Sequence, residues 1–216
     1  MKICRQGIFL LLLLFIIQPE VFSAETFEFS GDRFSSVMSR GREYTVLSGN
    51  ARIVSGSTII TADRIELHGD DYRYARCSGH VRIKDSEKGI LIEADRVSFD
   101  RIDDTSRIEG AVIMEDLRNE VIIRGNYLEY SGKEETASVH IGVRILKEDM
   151  TCRSEYARFN RETQILELSG LPVAYWKGDE YRALKITINL ESDEIFLEGK
   201  VSGTIFTERE EQQQDE

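Results

Sequence analysis

Through most of this chain apolar and polar residues alternate one for one, and a glycine interrupts the alternation at a nearly fixed interval. The run LSGNARI ends at Ile53, CSGHVRI at Ile83, IEGAVIM at Met114, VHIGVRI at Ile145, LSGLPVA at Ala174 and LEGKVSG at Gly203. Its anchor falls at Gly49, Gly79, Gly110, Ile141, Gly170 and Gly199, a step of 29 to 31 residues. Such regularity marks one supersecondary unit copied along the chain. Between anchors a second run recurs with the same step: ITADRIEL, IEADRVSF, IRGNYLEY, CRSEYARF and YRALKITI. Each unit therefore holds two strands.

A period of two puts successive side chains on opposite faces of a strand. In the first strand type Ile53, Val81, Ile83, Val112, Met114, Val143 and Ile145 share a face, with Arg52, Arg82 and Arg144 between three of the pairs. In the second type Ile65 and Leu67 recur as Val97 and Phe99, Leu128 and Tyr130, and Ala157 and Phe159, with mostly polar spacers. Helices would need apolar residues three and four apart, and these runs are rich in the β-branched and aromatic residues that suit a pleated sheet. Turn clusters such as HGDD, KDSEKG, DRIDDTS and SGKEE fall between the runs. The pattern predicts an all-β chain of stacked antiparallel two-strand repeats, about 30 residues each. No unit can bury its apolar face alone. Stacked units close an elongated sandwich or rolled sheet along an apolar seam, which is either a filled core or an open groove for hydrocarbon. With Pro172 in the fifth copy and Gly203 in the sixth, the last units are expected at one end of the stack, and Val46 and Ile205 are expected to mark its two edges.

Residues 1–23 read as a secretory signal peptide. Lys2 and Arg5 precede an apolar run from Ile8 to Ile17, and Val21 and Ser23 suit cleavage before Ala24. The apolar run is short for a helix crossing about 30 Å of hydrocarbon. The remainder is expected to be one β domain over 24–206, followed by a disordered acidic tail over 207–216. The formal net charge is −11, and removal of Lys2, Arg5 and Glu20 with the leader makes it one unit more negative. That field repels nucleic acid, which is excluded as a partner. Cys77 and Cys152 are expected on different faces and unbridged. His68, His80 and His140 lack metal-ligand spacing, and Asp63 and Asp95 recur at positions held elsewhere by Asn126, Glu155 and Leu184. No phosphate loop or nucleophile motif occurs, so neither enzymatic activity nor a cofactor is expected.

LSGNARI, ITADRIELHGDD, CSGHVRI and IEADRVSFDR resemble the repeat of the OstA-like family, the lipopolysaccharide-transport proteins LptA, LptC and the N-terminal domain of LptD. The resemblance runs from about residue 45 to 203 and implies a β-jellyroll that shields acyl chains in the periplasm and joins end to end through its edge strands. It implies lipopolysaccharide or a related glycolipid as ligand, and other OstA-like jellyrolls or further copies of this chain as partners. The expected lipid-facing residues are Ile53, Ile65, Leu67, Val81, Ile83, Val97, Phe99, Val112, Met114, Leu128, Tyr130, Val143, Ile145 and Phe159. Arg52, Arg82 and Arg144 would meet head-group phosphate only if they lined the groove mouth. Two other roles fit the pattern: a structural or adhesive β-solenoid with a dry core, and an LptC-like component that keeps residues 8–17 as an anchor.

Overall fold

The computed structural model describes residues 27–39 and 42–207; the leader and most of the acidic tail lie outside these residues. It holds a single sheet of 16 antiparallel strands. They are β1 (Phe27–Ser30), β2 (Arg33–Val37), β3 (Tyr44–Ser55), β4 (Thr58–His68), β5 (Tyr74–Asp85), β6 (Ile90–Asp100), β7 (Thr105–Asp116), β8 (Val121–Ser131), β9 (Thr136–Lys147), β10 (Met150–Asn160), β11 (Ile165–Ser169), β12 (Val173–Trp176), β13 (Asp179–Arg182), β14 (Lys185–Asn189), β15 (Glu194–Glu198) and β16 (Ser202–Thr204). From β3 to β10 every strand pairs with its neighbours in sequence, the stack of antiparallel two-strand repeats that the periodicity predicts and the elongated all-β jellyroll that the family resemblance implies.

Each long strand bends at its middle, and the anchor glycines are the reason. Between β3 and β4 the register shifts so that Gly49 and Asn50 together oppose Asp63. Gly79 and His80 oppose Asp95, Gly110 and Ala111 oppose Asn126, and Ile141 and Gly142 oppose Glu155 in the same way. These are β-bulges, which bend the strand that carries the extra residue. Both bulge residues have positive φ, 75° at Gly79 and 46° at His80, and glycine takes that conformation without a Cβ penalty. A second constraint comes from the preceding strand, where a Cβ on Gly79 would lie 2.2 Å from the Asp63 carboxylate and one on Gly110 2.2 Å from that of Asp95. The Ala-Asp-Arg motif and the glycine are thus two halves of one close approach in mid-sheet, and Asp63 and Asp95 stand at the bend.

Ile141 breaks the rule, a β-branched residue at φ 67°. Ile141→Gly is expected to stabilise the fold by about 1 kcal/mol, since the left-handed conformation costs an L-residue roughly 1–2 kcal/mol; the urea midpoint of unfolding measures it.

The bulge also flips the face of the strand it opposes. In β10 Met150, Cys152 and Ser154 point inward before the bulge and Ala157 and Phe159 after it. Cys152 is therefore buried on the same inner face as Cys77, contrary to the expectation from simple alternation, which carries no bulge. Both thiols are free, and burial pushes each up to about 12.

The N-terminal edge also differs from expectation. β1 pairs with the second half of β3 and β2 with the first, so Phe27 to Val37 is one more bent strand, its bend at Gly31 and Asp32. Val46 lies between Ser35 and Glu66, paired on both sides, and cannot mark an edge. At the other end the bends split the strands outright: β10 pairs with both β11 and β12, and the sheet continues through β14 and β15 on one half and β13 and β16 on the other.

Candidate functional site

The bend brings the hairpin turns together. One row of turns follows β4, β6, β8 and β10, and a second follows β3, β5, β7 and β9; along straight strands of 11 or 12 residues the rows would stand roughly 35–40 Å apart. Instead they touch. Lys88 Nζ in the second row lies 3.4 Å from Asp104 in the first, Lys177 Nζ lies 2.8 Å from Asp193, and at the N-terminal end the Phe27 and Tyr72 rings meet edge to face. The sheet is folded double, with its bends along a closed spine and its turns along a mouth.

Between the halves lies one continuous apolar cluster. Of the residues expected to face lipid, Ile53, Ile65, Leu67, Val81, Val97, Val112, Met114, Leu128, Tyr130, Val143, Ile145 and Phe159 are buried in it. Ile83 and Phe99 are half-buried and pack against it. Sequence reasoning missed comparable residues in the other half of each strand, including Leu47, Ile92, Ile108, Ile123 and Val139. Period two identifies a face only up to the next bulge, which concealed Ile92 and Ile123; the alternation of Leu47, Ile108 and Val139 with polar neighbours was there to be found. The side chains of the two halves fill the space between them. Ser154 is the one core residue whose buried hydroxyl lacks a partner among the described residues. Ser154→Ala is expected to raise stability by about 1 kcal/mol by removing an unsatisfied polar group, again read from the urea midpoint.

At the centre of the mouth the closure is buried. Arg161, just past β10, donates from Nε to Asp116 Oδ2 at 2.6 Å and from Nη2 to Asp116 Oδ1 at 3.1 Å, a two-pronged pair across the mouth. It also donates to Glu135 at 2.8 Å, to the Lys88 carbonyl at 2.8 Å and to the Tyr130 hydroxyl at 3.4 Å. Asn119 ties the two together, donating to Asp116 at 2.8 Å and to the Arg161 carbonyl at 3.3 Å. Side chains of Arg161 and Asp116 are 1% and 0% exposed, against 61% and 54% for Lys177 and Asp193. Burial opposes the Asp116 charge, but the bonds from Arg161 and Asn119 outweigh it and hold the carboxyl below the usual carboxylate range. For Arg161 burial likewise opposes charge and the bond to Asp116 overrides it. Nothing in the sequence pattern marked this pair, which is 45 residues apart, one member in a turn and the other at the end of β7.

The remaining concavities differ in character. An apolar notch of about 100 Å³ opens at the N-terminal end, lined by Phe27, Phe29, Phe34, Met38 and Tyr72 with Leu47 and Leu67 of the core at its base. A groove of about 840 Å³ on the outer face is mixed in character, lined in part by Arg76, Arg107, Glu129 and Arg158 and in part by Phe99 and Tyr130. Among the described residues no group of His, Cys, Asp and Glu could hold a metal ion. His80 donates from Nδ1 to Asp63 at 2.9 Å, and His140 stacks edge-on between Tyr127 and Tyr156. No helix of the described residues is long and apolar enough to cross a membrane. Arg52, Arg82 and Arg144 are exposed on the outer face, each three residues before the end of its strand.

Residues 31–136 match the model of a family described as LptA/(LptD N-terminal domain) LPS transport protein. Among solved structures the chain is similar to LptH of Pseudomonas aeruginosa, described as the LptA-homologous periplasmic component of a conserved lipopolysaccharide transport device. That match has 9% identity and a TM-score of 0.26 and covers 85% of this chain and 96% of the other. No curated protein matches.

Proposed function

We propose, on the premise that residues 31–136 belong to the LptA and LptD N-terminal-domain family of lipopolysaccharide-transport proteins, that this protein is a periplasmic carrier, not an enzyme. Its ligand is lipopolysaccharide or a related glycolipid, whose acyl chains it shields on the way to the outer membrane. The observation that supports the reading is the inner face: an unbroken apolar cluster from β3 to β14, enclosed by two half-sheets that meet across the mouth largely through side chains of the turns. Parting the mouth would offer acyl chains a floor of side chains such as Ile83, Phe99 and Leu128, and each buried CH₂ contributes about 0.8 kcal/mol.

Both ends of the sheet support assembly. Phe29, Phe34, Val37 and Met38 are exposed at one end and Phe196, Val201, Ile205 and Phe206 at the other. Strand edges with unpaired N–H and C=O groups invite pairing with another sheet. In the proposed bridge the Phe27–Val37 edge of one molecule adds to the β15 and β16 edge of another or of a related jellyroll. A photocrosslinker at Phe34 is expected to trap that partner, and proline at Ile195 and Leu197 to lower the assembly state measured by light scattering. A strictly monomeric protein that crosslinks to nothing through either edge leaves a stand-alone carrier.

The filled core also suits a rigid β scaffold that binds no lipid, and one experiment separates the two. The full chain purified from a native envelope is expected to carry glycolipid detectable by mass spectrometry, and Phe99→Asp, shown folded by circular dichroism, is expected to lose it. A wild-type protein free of glycolipid, or undiminished capture by the folded variant, would overturn the carrier reading.

A further inference from the structure

On the outer face three arginines stand in one row. Arg124 of β8 is directly opposite Arg144 of β9, and Arg144 is directly opposite Arg153 of β10. All three are exposed. Side chains directly opposite on neighbouring strands have their Cβ atoms about 5 Å apart, and like charges so placed repel. Elsewhere on this face the sheet opposes arginine with glutamate, as in Arg82 with Glu93 at 3.3 Å, Arg96 with Glu109 at 3.1 Å and Arg107 with Glu129 at 3.4 Å. No carboxylate lies within ion-pair distance of Arg124, Arg144 or Arg153 among the described residues. A protein of net charge −11 has many carboxylates with which to quench such a row, and this one leaves it open.

We propose that Arg124, Arg144 and Arg153 form an anion site for the phosphate groups of a phosphorylated saccharide head group. Three forked guanidiniums at strand spacing match the oxygens of a phosphate or diphosphate, which each can grip with two bonds. The row lies three residues from the turns at Val121, Lys147 and Met150, so about 10 Å of strand separates it from the lip of the mouth. Resting on the carrier reading, this assigns the row a place in it. Acyl chains enter at the mouth, the head group folds over the second-row lip, and the arginines hold its phosphate. Ile122 and Leu146 lie opposite one another between the row and the lip and give the sugar an apolar shelf.

The test is Arg144→Glu in the full chain. It turns the repelling row into Arg-Glu-Arg, so stability is expected to rise while anion binding falls, a pairing that a purely structural role for Arg144 would not produce. Affinity for phosphorylated glycolipid is expected to drop about tenfold or more, the worth of about 1.4 kcal/mol. Affinity for the same glycolipid stripped of phosphate should stay unchanged, and Arg144→Lys should retain most of the preference. Pyrophosphate alone is titrated in parallel. Its binding to wild type and not to Arg144→Glu, with no glycolipid bound by either, would keep the anion site and overturn the carrier reading. An equal preference for phosphorylated lipid in wild type and Arg144→Glu would overturn the anion site and leave the carrier reading standing. Capture of an acidic protein through these arginines, with the lipid preference unmoved, would overturn it as well.

Discussion

An Asp116→Ala protein is expected to lose about 3–5 kcal/mol of stability, the cost of stranding one member of a buried ion pair. Arg161 would keep Glu135, the Lys88 carbonyl and the Tyr130 hydroxyl, but Glu135 is partly exposed and supplies the only remaining counter-charge in the cluster. Replacing both members with apolar residues, Asp116→Leu with Arg161→Met, is expected to come close to wild-type stability because no charge remains to be desolvated. Denaturant unfolding of the three proteins checks this. An equal loss in the single and double variants would sink the claim that the stranded charge sets the penalty.

The pH dependence follows from the same carboxyl. The folded-state pKa of Asp116 is depressed, so its contribution is fully present above the unfolded value of about 3.9 and disappears as pH falls through the folded value. The gap between wild type and Asp116→Ala should therefore be constant from pH 7 to about 5 and close below about 4. Asp100 acts in the same window: hydrogen bonding from Arg73, against the opposing effect of burial, draws it down to about 2. The Asp116 tie spans the mouth and the Asp100 tie joins neighbouring turns of one lip, so acid is expected to loosen the mouth before it melts the spine, where the ladders are backbone to backbone.

Much of the fold was legible because its signal is periodic. Alternation at Ile53, Val81, Ile83 and Phe159 reports a face directly, and each repeat supplies an independent reading of it. The bulges were visible only as glycines, since a single sequence does not say that two residues oppose one; Cys152 was assigned to the wrong face for that reason. The first bent strand was missed although Gly31, Asp32 and Arg33 stand where Ala62, Asp63 and Arg64 stand in the next copy, and the Asp32 carboxylate sits over Gly49 as that of Asp63 sits over Gly79. Of the candidate site, the apolar floor was legible and its closure was not. Arg161 sits in a turn and Asp116 at the end of β7, both outside the periodic runs, and their pairing depends on a fold of the whole sheet.

The repeat signature itself makes the second large prediction. At Gly110 an alanine meets two separable obstacles: a φ of 78°, which costs an L-residue roughly 1–2 kcal/mol, and a Cβ placed 2.2 Å from Asp95 Oδ2 and 2.9 Å from its Cβ. Moving the carboxylate tip alone does not relieve the second, because the Asp95 Cβ belongs to a strand paired on both sides. Gly110→Ala is therefore expected to cost about 3 kcal/mol or more in wild type, the sum of backbone strain and displaced packing. In an Asp95→Gly background only the backbone cost of roughly 1–2 kcal/mol should remain. A double-mutant cycle on denaturant unfolding measures the difference, and a coupling of about 1–2 kcal/mol is expected for residues in contact. Additive effects would mean that the aspartate and the glycine recur for unrelated reasons. Coupling would mean that the Ala-Asp-Arg motif on one strand and the glycine on the next are selected together, because their close approach sets the bend that folds the sheet double and gives it a mouth.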